Sequence, residues 1–447
     1  MIQSGVSSPG DIREEELFKA LVSRFGKNCV YRSPKVRVHG QEKELGDVVV
    51  LALPYMIVFQ SKWKKLTGDD LRGDRGEVYR TRLIRTMHEA AGQFNELASS
   101  LQQKMTIELP QVWFPGNDLT YQFPLERIEH VVPVVVVDFE DAQYDNPDER
   151  FEDVPPVITD VPSQIKSWGI VHSFLLRNFY RILEQLFTVG DLLYWLQERE
   201  KMIGTNTRSI IGYSELTLFA IYLENNGLWD DLLKADCVTL TDNDGLERRI
   251  KERKKAFAER QKIFGQRNLL DAIDDTIVRF LAQTDIKHRN DVILSYLDCQ
   301  GRLLCCSAKT KRETALRLKK NIAGFEQKGD SFRGSFVFAT EAMPLSNTAF
   351  YCGVAPYTKE DANRYFIKAY GRTLAVLRDA GLVNAVDEVL VLFVRHPTHE
   401  VFFVLKKIEK DDYDLAPQEK IADGVALSRA KRMAYRSEWD IVRGSPP

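Results

Sequence analysis

The chain has 447 residues, 44% of them hydrophobic, and its 62 Lys and Arg nearly balance its 64 Asp and Glu. That length is too great for one ordinary domain and predicts two or three. The charge balance excludes a global electrostatic footprint for nucleic acid, and no apolar run reaches the roughly 18 residues of a membrane span, so no membrane partner is expected.

The first predicted element is a helix over DIREEELFKALVSRFG, where Leu17, Phe18, Leu21, Val22 and Phe25 recur at helical spacing. Two adjoining apolar runs follow in GDVVVLALPYMIVFQSK. Val48 to Leu53 is β-branched and aliphatic, Met56 to Phe59 answers it, and Pro54-Tyr55 breaks the run, which reads as a hairpin. Antiparallel pairing about a turn near Pro54 sets residues whose numbers sum to about 107 to 109 opposite each other, so Asp47 faces Gln60 and Lys62. Alternation places Gln60 and Lys62 on one face and Ser61 on the other.

An aspartate, an amide oxygen and a lysine at the end of buried strands are costly to gather unless a cation or substrate sits between them. Mg²⁺ is the natural occupant, because it prefers oxygen ligands and is commonly held by one or two carboxylates plus substrate phosphate oxygens. Asp47 is then the main ligand, with the Gln60 side-chain oxygen and the Ser61 carbonyl as others. Lys62 orients the attacking water and stabilises charge developing on phosphorus. That is phosphodiester hydrolysis. The alternative is an ordinary surface ion pair between Asp47 and Lys62.

These residues resemble the PD-(D/E)xK nuclease superfamily, the restriction-endonuclease-like fold, in the variant where glutamine replaces the second acidic residue. The resemblance implies an α/β N-terminal domain, a mixed sheet flanked by helices, with Mg²⁺ or Mn²⁺ as cofactor. It also implies one more acidic residue from the helix before the hairpin. Glu15 precedes the apolar stripe by the spacing usual in the family and is the expected one, with Glu14 and Glu16 as alternatives. On this assignment Asp47, Gln60, Lys62 and Glu15 are catalytic, and Asp47, Gln60, Ser61 and Glu15 hold the metal. Glutamine at position 60 removes one negative charge and weakens the site unless Glu15 compensates. The helix-like segment Glu77 to Leu101, which contains Gln93, and the strand-like VVPVVVVDF from Val131 to Phe139 are similar to the next helix and strand of that fold. GIVHSFLLRNFYRILEQLFTVGDLLYWLQERE looks like a segment of uncharacterised bacterial proteins with a predicted N-terminal nuclease domain. Residues 1–202 are the expected nuclease domain.

After the hairpin, Lys64, Lys65 and the arginines from Arg72 to Arg85 are placed to meet a phosphate backbone, and a solvated loop explains them equally. Asp141 to Ser163 is acidic and Pro-rich and reads as an exposed loop that repels phosphate. A boundary is expected after Met202, where IGTNTRSIIG interrupts two helical patterns. Residues 203–285 read as a helical, partly basic segment. There Arg248, Arg249, Lys254 and Lys255 are candidate nucleic-acid contacts, although such helices are usually solvated faces.

Residues 286–447 read as α+β, with strands VILSYLDC, GSFVFAT, AFYCGVAP, DEVLVLFVR and EVFFVLKKI and a helix from Lys359 to Asp379. The last two strands form a hairpin whose turn carries His396 and His399. HPTH lacks a third partner nearby, so these read as solvent-facing rather than as metal ligands. GDSFRG lacks the Gly-Lys-Ser/Thr ending of a phosphate-binding loop, and no GxSxG or HExxH set competes.

The favoured reading is a metal-dependent endonuclease whose C-terminal half recognises a target or partner, a layout that suits bacterial defence or restriction by analogy. DNA is favoured over RNA. A homodimer would let two sites cut both strands, although no coiled-coil seam argues for one. The alternatives are a catalytically inactive nucleic-acid-binding module on the same fold and an interaction or scaffold protein. Cys29, Cys237, Cys299, Cys305, Cys306 and Cys352 lack CxxC spacing, and Glu14 to Glu16 stand where a signal peptide needs its apolar stretch. A cytoplasmic location is therefore expected.

Overall fold

The computed structural model describes residues 8–26, 29–38, 41–65, 81–82, 84–90, 92–94, 106–109, 121–124, 127–140, 170–186, 188–203, 209–211, 215–224, 235, 237–239, 298–299, 301–305, 317–318, 320–327, 333–338, 348–356, 361–381, 383, 386–396 and 401–415. Contacts divide the chain into two compact units, one of Met1–Phe187 with Trp195–Glu252 and one of Thr188–Tyr194 with Arg253–Pro447. The acidic segment 141–163, the arginines 72, 75 and 80, the basic residues Arg248, Arg249, Lys254 and Lys255, and His399 lie outside the described residues.

The first unit opens with α1, Pro9–Phe25. The Ser8 hydroxyl accepts from the Asp11 N–H and the Asp11 carboxylate accepts from the Ser8 N–H, a capping box that satisfies two end donors, while Pro9 stands where no N–H is needed. Leu17 and Leu21 form its buried stripe. The strands that follow among the described residues are β1 (Val30–Arg32), β2 (Lys35–Val38), β3 (Gln41–Glu44), β4 (Val48–Ala52), β5 (Tyr55–Lys65), β6 (Thr106–Leu109), β7 (Tyr121–Pro124), β8 (His130–Glu140) and β9 (His172–Leu175).

Five of them make a mixed sheet in the order β1-β4-β5-β8-β9. The hairpin has the register read from the sequence, with Val48 opposite Phe59 and Ala52 opposite Tyr55. β5 then runs parallel to β8 from Tyr55↔His130 to Lys65↔Glu140, and β8 runs parallel to β9. Strands buried on both faces need unbroken apolar runs, and Val48–Ala52 and Val134–Val137 supply them at no more than 3% exposure. Phe59 packs on Phe179 of α3 (Leu176–Leu183), with ring centroids 5.6 Å apart. Lys64, on the alternate face, reaches Glu89 of helical residues 84–90 (α2) at 3.7 Å. The sheet is thus flanked by helices on both sides. A second, antiparallel sheet has the order β3-β2-β6-β7.

Two further helices, α4 (Val189–Ile203) and α5 (Glu215–Glu224), flank β10 (Ser209–Ile211), which pairs in parallel with β11 (Cys237–Thr239). This small sheet lies where a helical pattern was expected. Its partners stand far apart in the chain, and three-residue strands leave no readable period. Arg199 of α4 is fully buried: Nε and Nη2 donate to the two Glu215 carboxylate oxygens at 2.8 Å, and Nη2 also donates to the Ser173 carbonyl at 3.1 Å. Nη1 lies 3.2 Å from His172 Nδ1. Burial and the Arg199 charge push the His172 pKa well below its ordinary value, so Nδ1 is the acceptor. One guanidinium therefore joins β9, α4 and α5.

The second unit repeats the layering. Its strands β12 (Arg333–Phe338), β13 (Thr348–Pro356), β14 (Glu388–His396) and β15 (Val401–Lys407) pair in sequence order, antiparallel, parallel and antiparallel. Arg302 of helical residues 301–305 (α6) pairs with Glu388, and Asn321 of residues 320–327 (α7) donates to the Cys352 carbonyl at 3.2 Å. On the other face α8 (Asp361–Ala380) buries Tyr370, Leu374 and Leu377 against Tyr351, Val389 and Val391. The end of VILSYLDC differs from expectation, because Asp298 and Cys299 are helical; Cys299 and Leu303, four apart, are buried together. Among the described residues no helix is long and apolar enough to cross a membrane.

Removing one partner of a buried ion pair leaves the other charge uncompensated, which costs about 3–5 kcal/mol. Glu215→Ala is therefore expected to lower the urea midpoint of the first unit by that amount of stability, read from the fluorescence of the buried Trp195.

Candidate functional site

The site forms where paired strands change sheets. β1 pairs Arg32 with Val48, and β2 pairs Lys35 with Glu44, so Ser33 and Pro34 on one side face Leu45, Gly46 and Asp47 on the other. The Ser33 N–H donates to the Asp47 carbonyl at 3.0 Å and the Leu45 N–H to the Pro34 carbonyl at 2.9 Å, which leaves Gly46 as the extra residue of a β-bulge. A Cβ on Gly46 would stand 2.5 Å from Val58 Cγ1 and 3.2 Å from the Phe59 carbonyl oxygen. Only glycine lets the bulge lie this close to β5.

The bulge turns Asp47 onto β5. Its N–H donates to the Phe59 carbonyl at 3.0 Å, and its carboxylate Oδ2 accepts the Ser61 N–H at 2.5 Å. β5 extends past the end of β4, and the Asp47 side chain supplies the acceptor that a continuing strand would have supplied. Asp47 is 9% exposed. Burial raises its pKa, opposed by the Ser61 hydrogen bond and the Lys62 charge. The Gln60 amide lies within this bracket, 3.3 Å from each Asp47 carboxylate oxygen. Half-buried Lys62 makes no ion pair among the described residues.

α1 presents Glu14 to this spot. Its pKa is raised to about 7, chiefly by burial and then by the charges of Asp47 and Glu44. Glu15, the acid singled out from the sequence, turns elsewhere: it pairs with Arg32 and, at 3.2 Å, with Lys19. The reason is helical geometry. Glu14 precedes Leu17 by three residues and Leu21 by seven, which places it on the buried stripe, whereas Glu15 is rotated about 100° away. The structure therefore brings together Asp47, Gln60, the Ser61 N–H and Lys62 with Glu14, and leaves Glu15 outside. Lys64 is engaged by Glu89, and Lys65 is exposed. The spacing of Glu14, Leu17 and Leu21 is the signal that identifies Glu14; the bulge leaves no such mark.

Among the described residues no group of three or more His, Cys, Asp and Glu side chains is gathered to hold a metal. The donors at hand are two carboxylates and an amide, all oxygen, beside one lysine. A set of that kind suits a hard cation that keeps several waters, and suits thiophilic metals poorly. The chain matches no family model, no curated protein and no solved structure.

Glu14 gives a pH dependence of known sign. Its folded pKa lies above the unfolded 4.5, so the folded state binds the extra proton and stability falls as pH rises through about 4.5 to 7. Glu14→Gln is expected to reduce that slope, measured as urea midpoints across this range. Gly46→Ala is expected to cost about 1–3 kcal/mol through overpacking against Val58, measured in the same way.

Proposed function

We propose that the first unit is a metal-dependent nuclease that hydrolyses nucleic-acid phosphodiester bonds. The observation that carries this reading is the convergence of Asp47, Gln60, Glu14 and Lys62 where β5 runs past the start of β4, around a buried carboxylate held by a backbone N–H. The helix, antiparallel hairpin and following parallel strand also come in the order that the restriction-endonuclease-like fold would need. Mg²⁺ or Mn²⁺, held by Asp47, Glu14 and the Gln60 oxygen, would acidify a bound water and draw charge from the scissile phosphate. Asp47 is fixed in orientation by Ser61, so its carboxylate keeps its place as substrate arrives. Lys62, one position beyond, donates to the attacking water or to a phosphate oxygen and stabilises the negative charge that grows there.

DNA as substrate, a homodimer for double-strand cutting, a cytoplasmic location and a role in bacterial defence belong to the same proposal and rest on the resemblance. A second reading, a binding module without cleavage, is favoured by the neutral Gln60 and by the absence of a three-membered carboxylate, His or Cys group among the described residues.

Incubating the full chain with supercoiled plasmid and Mg²⁺ or Mn²⁺ separates them. Nicking that Asp47→Ala abolishes and Lys62→Ala slows by about 10²–10³-fold supports the nuclease. Retention on DNA with the plasmid intact supports the binding module.

A further inference from the structure

Gln60 has two ways to face Asp47, and they are not equivalent. Amide oxygen and nitrogen have nearly the same shape, so hydrogen bonding decides which end points where. With nitrogen toward Asp47, the amide donates to Oδ1 and Oδ2 at 3.3 Å each. With oxygen toward Asp47, three acceptor oxygens confront one another and the nitrogen meets only donors. Around a carboxylate that is 9% exposed, such a confrontation is unscreened and costly. Without a cation, nitrogen therefore faces inward and the side chain is satisfied at both ends.

That resting state conflicts with cation binding. The NH₂ group occupies the edge of Asp47 that a cation needs, and the amide oxygen points away. A cation placed between the two side chains reverses the preference, because the three oxygens that repel each other become its ligands. Little else has to move. The Asp47 N–H is tied to Phe59, its carboxylate to the Ser61 N–H, and residue 60 lies between them on β5. The remaining freedom is the terminal torsion of Gln60, which is broad and roughly two-fold.

We propose that Gln60 is an amide switch: its NH₂ caps Asp47 at rest, and the amide turns over when a divalent cation is loaded, so that its oxygen becomes a ligand. This rests on the reading of the site as cation-dependent. It assigns to the neutral residue a role that a carboxylate lacks. An ionised glutamate at this position has no donor with which to cap Asp47 and would repel it at rest, whereas glutamine satisfies the empty site with hydrogen bonds at any pH and exchanges them for metal ligation.

The test is a titration of the full chain, labelled with ¹⁵N-glutamine, with MgCl₂, following side-chain NH₂ resonances alongside the heat of binding. The Gln60 pair is assigned by its absence from Gln60→Glu or Gln60→Asn. The expected result is a Gln60 pair protected from solvent exchange without Mg²⁺, which shifts and loses protection with the same midpoint as the heat. Binding heat with the Gln60 pair unmoved overturns the switch and leaves the cation reading standing. No heat and no shift overturns both. A pair that is already exposed to exchange before Mg²⁺ is added also overturns the switch, since the cap would then be absent.

Discussion

The hydrogen bond from the Ser61 backbone to the Asp47 carboxylate organises the site. A carboxylate at the rim of an apolar sheet is costly to bury, and a backbone N–H at the end of a hairpin is costly to leave without an acceptor. Each group resolves the other. The bulge at Gly46 is what allows them to meet, since a regular ladder would continue β4 along β5 and give Ser61 a carbonyl in place of a side chain. The position of Gln60 follows from the same bracket.

Electrostatics explain why a chain with near-neutral total charge can hold a charged site. Burial is the main reason that Glu14 and Asp47 have raised pKa values, and the neighbouring Glu44 charge adds to it at both. Arg32 pairs with Glu15 and only partly offsets this at Glu14. Lys62 is the cation that acts on Asp47. Lys64, the next cation along β5, is engaged by Glu89.

The second unit shows the same logic of layers without a comparable acidic site among its described residues. Its polar contacts, Arg302 with Glu388 and Thr348 with Glu388, sit at the starts of adjacent parallel strands and secure strand ends to a helix. The Lys406, Tyr370 and Asp412 group likewise ties β15 to α8 and to the turn Lys410–Leu415. These are contacts that fix register and packing.

Periodicity and breakers in the sequence determined the elements whose apolar pattern is long: α1, the β4–β5 hairpin and its register, β8, β12 to β15 and α8. They did so because a half-buried helix or a buried strand leaves its period in the chain. The pairing of Asp47 with Gln60 followed from that register. That Glu14 rather than Glu15 lies toward Asp47 was also written there, in its spacing from Leu17 and Leu21, but required knowing which face of α1 meets the sheet. Tertiary structure alone decided the Gly46 bulge, the parallel pairing of β10 with β11 and the burial of Arg199 against Glu215 and His172. Each depends on partners brought together from separate strands or from distant parts of the chain, and a contact of that kind leaves no local pattern to read.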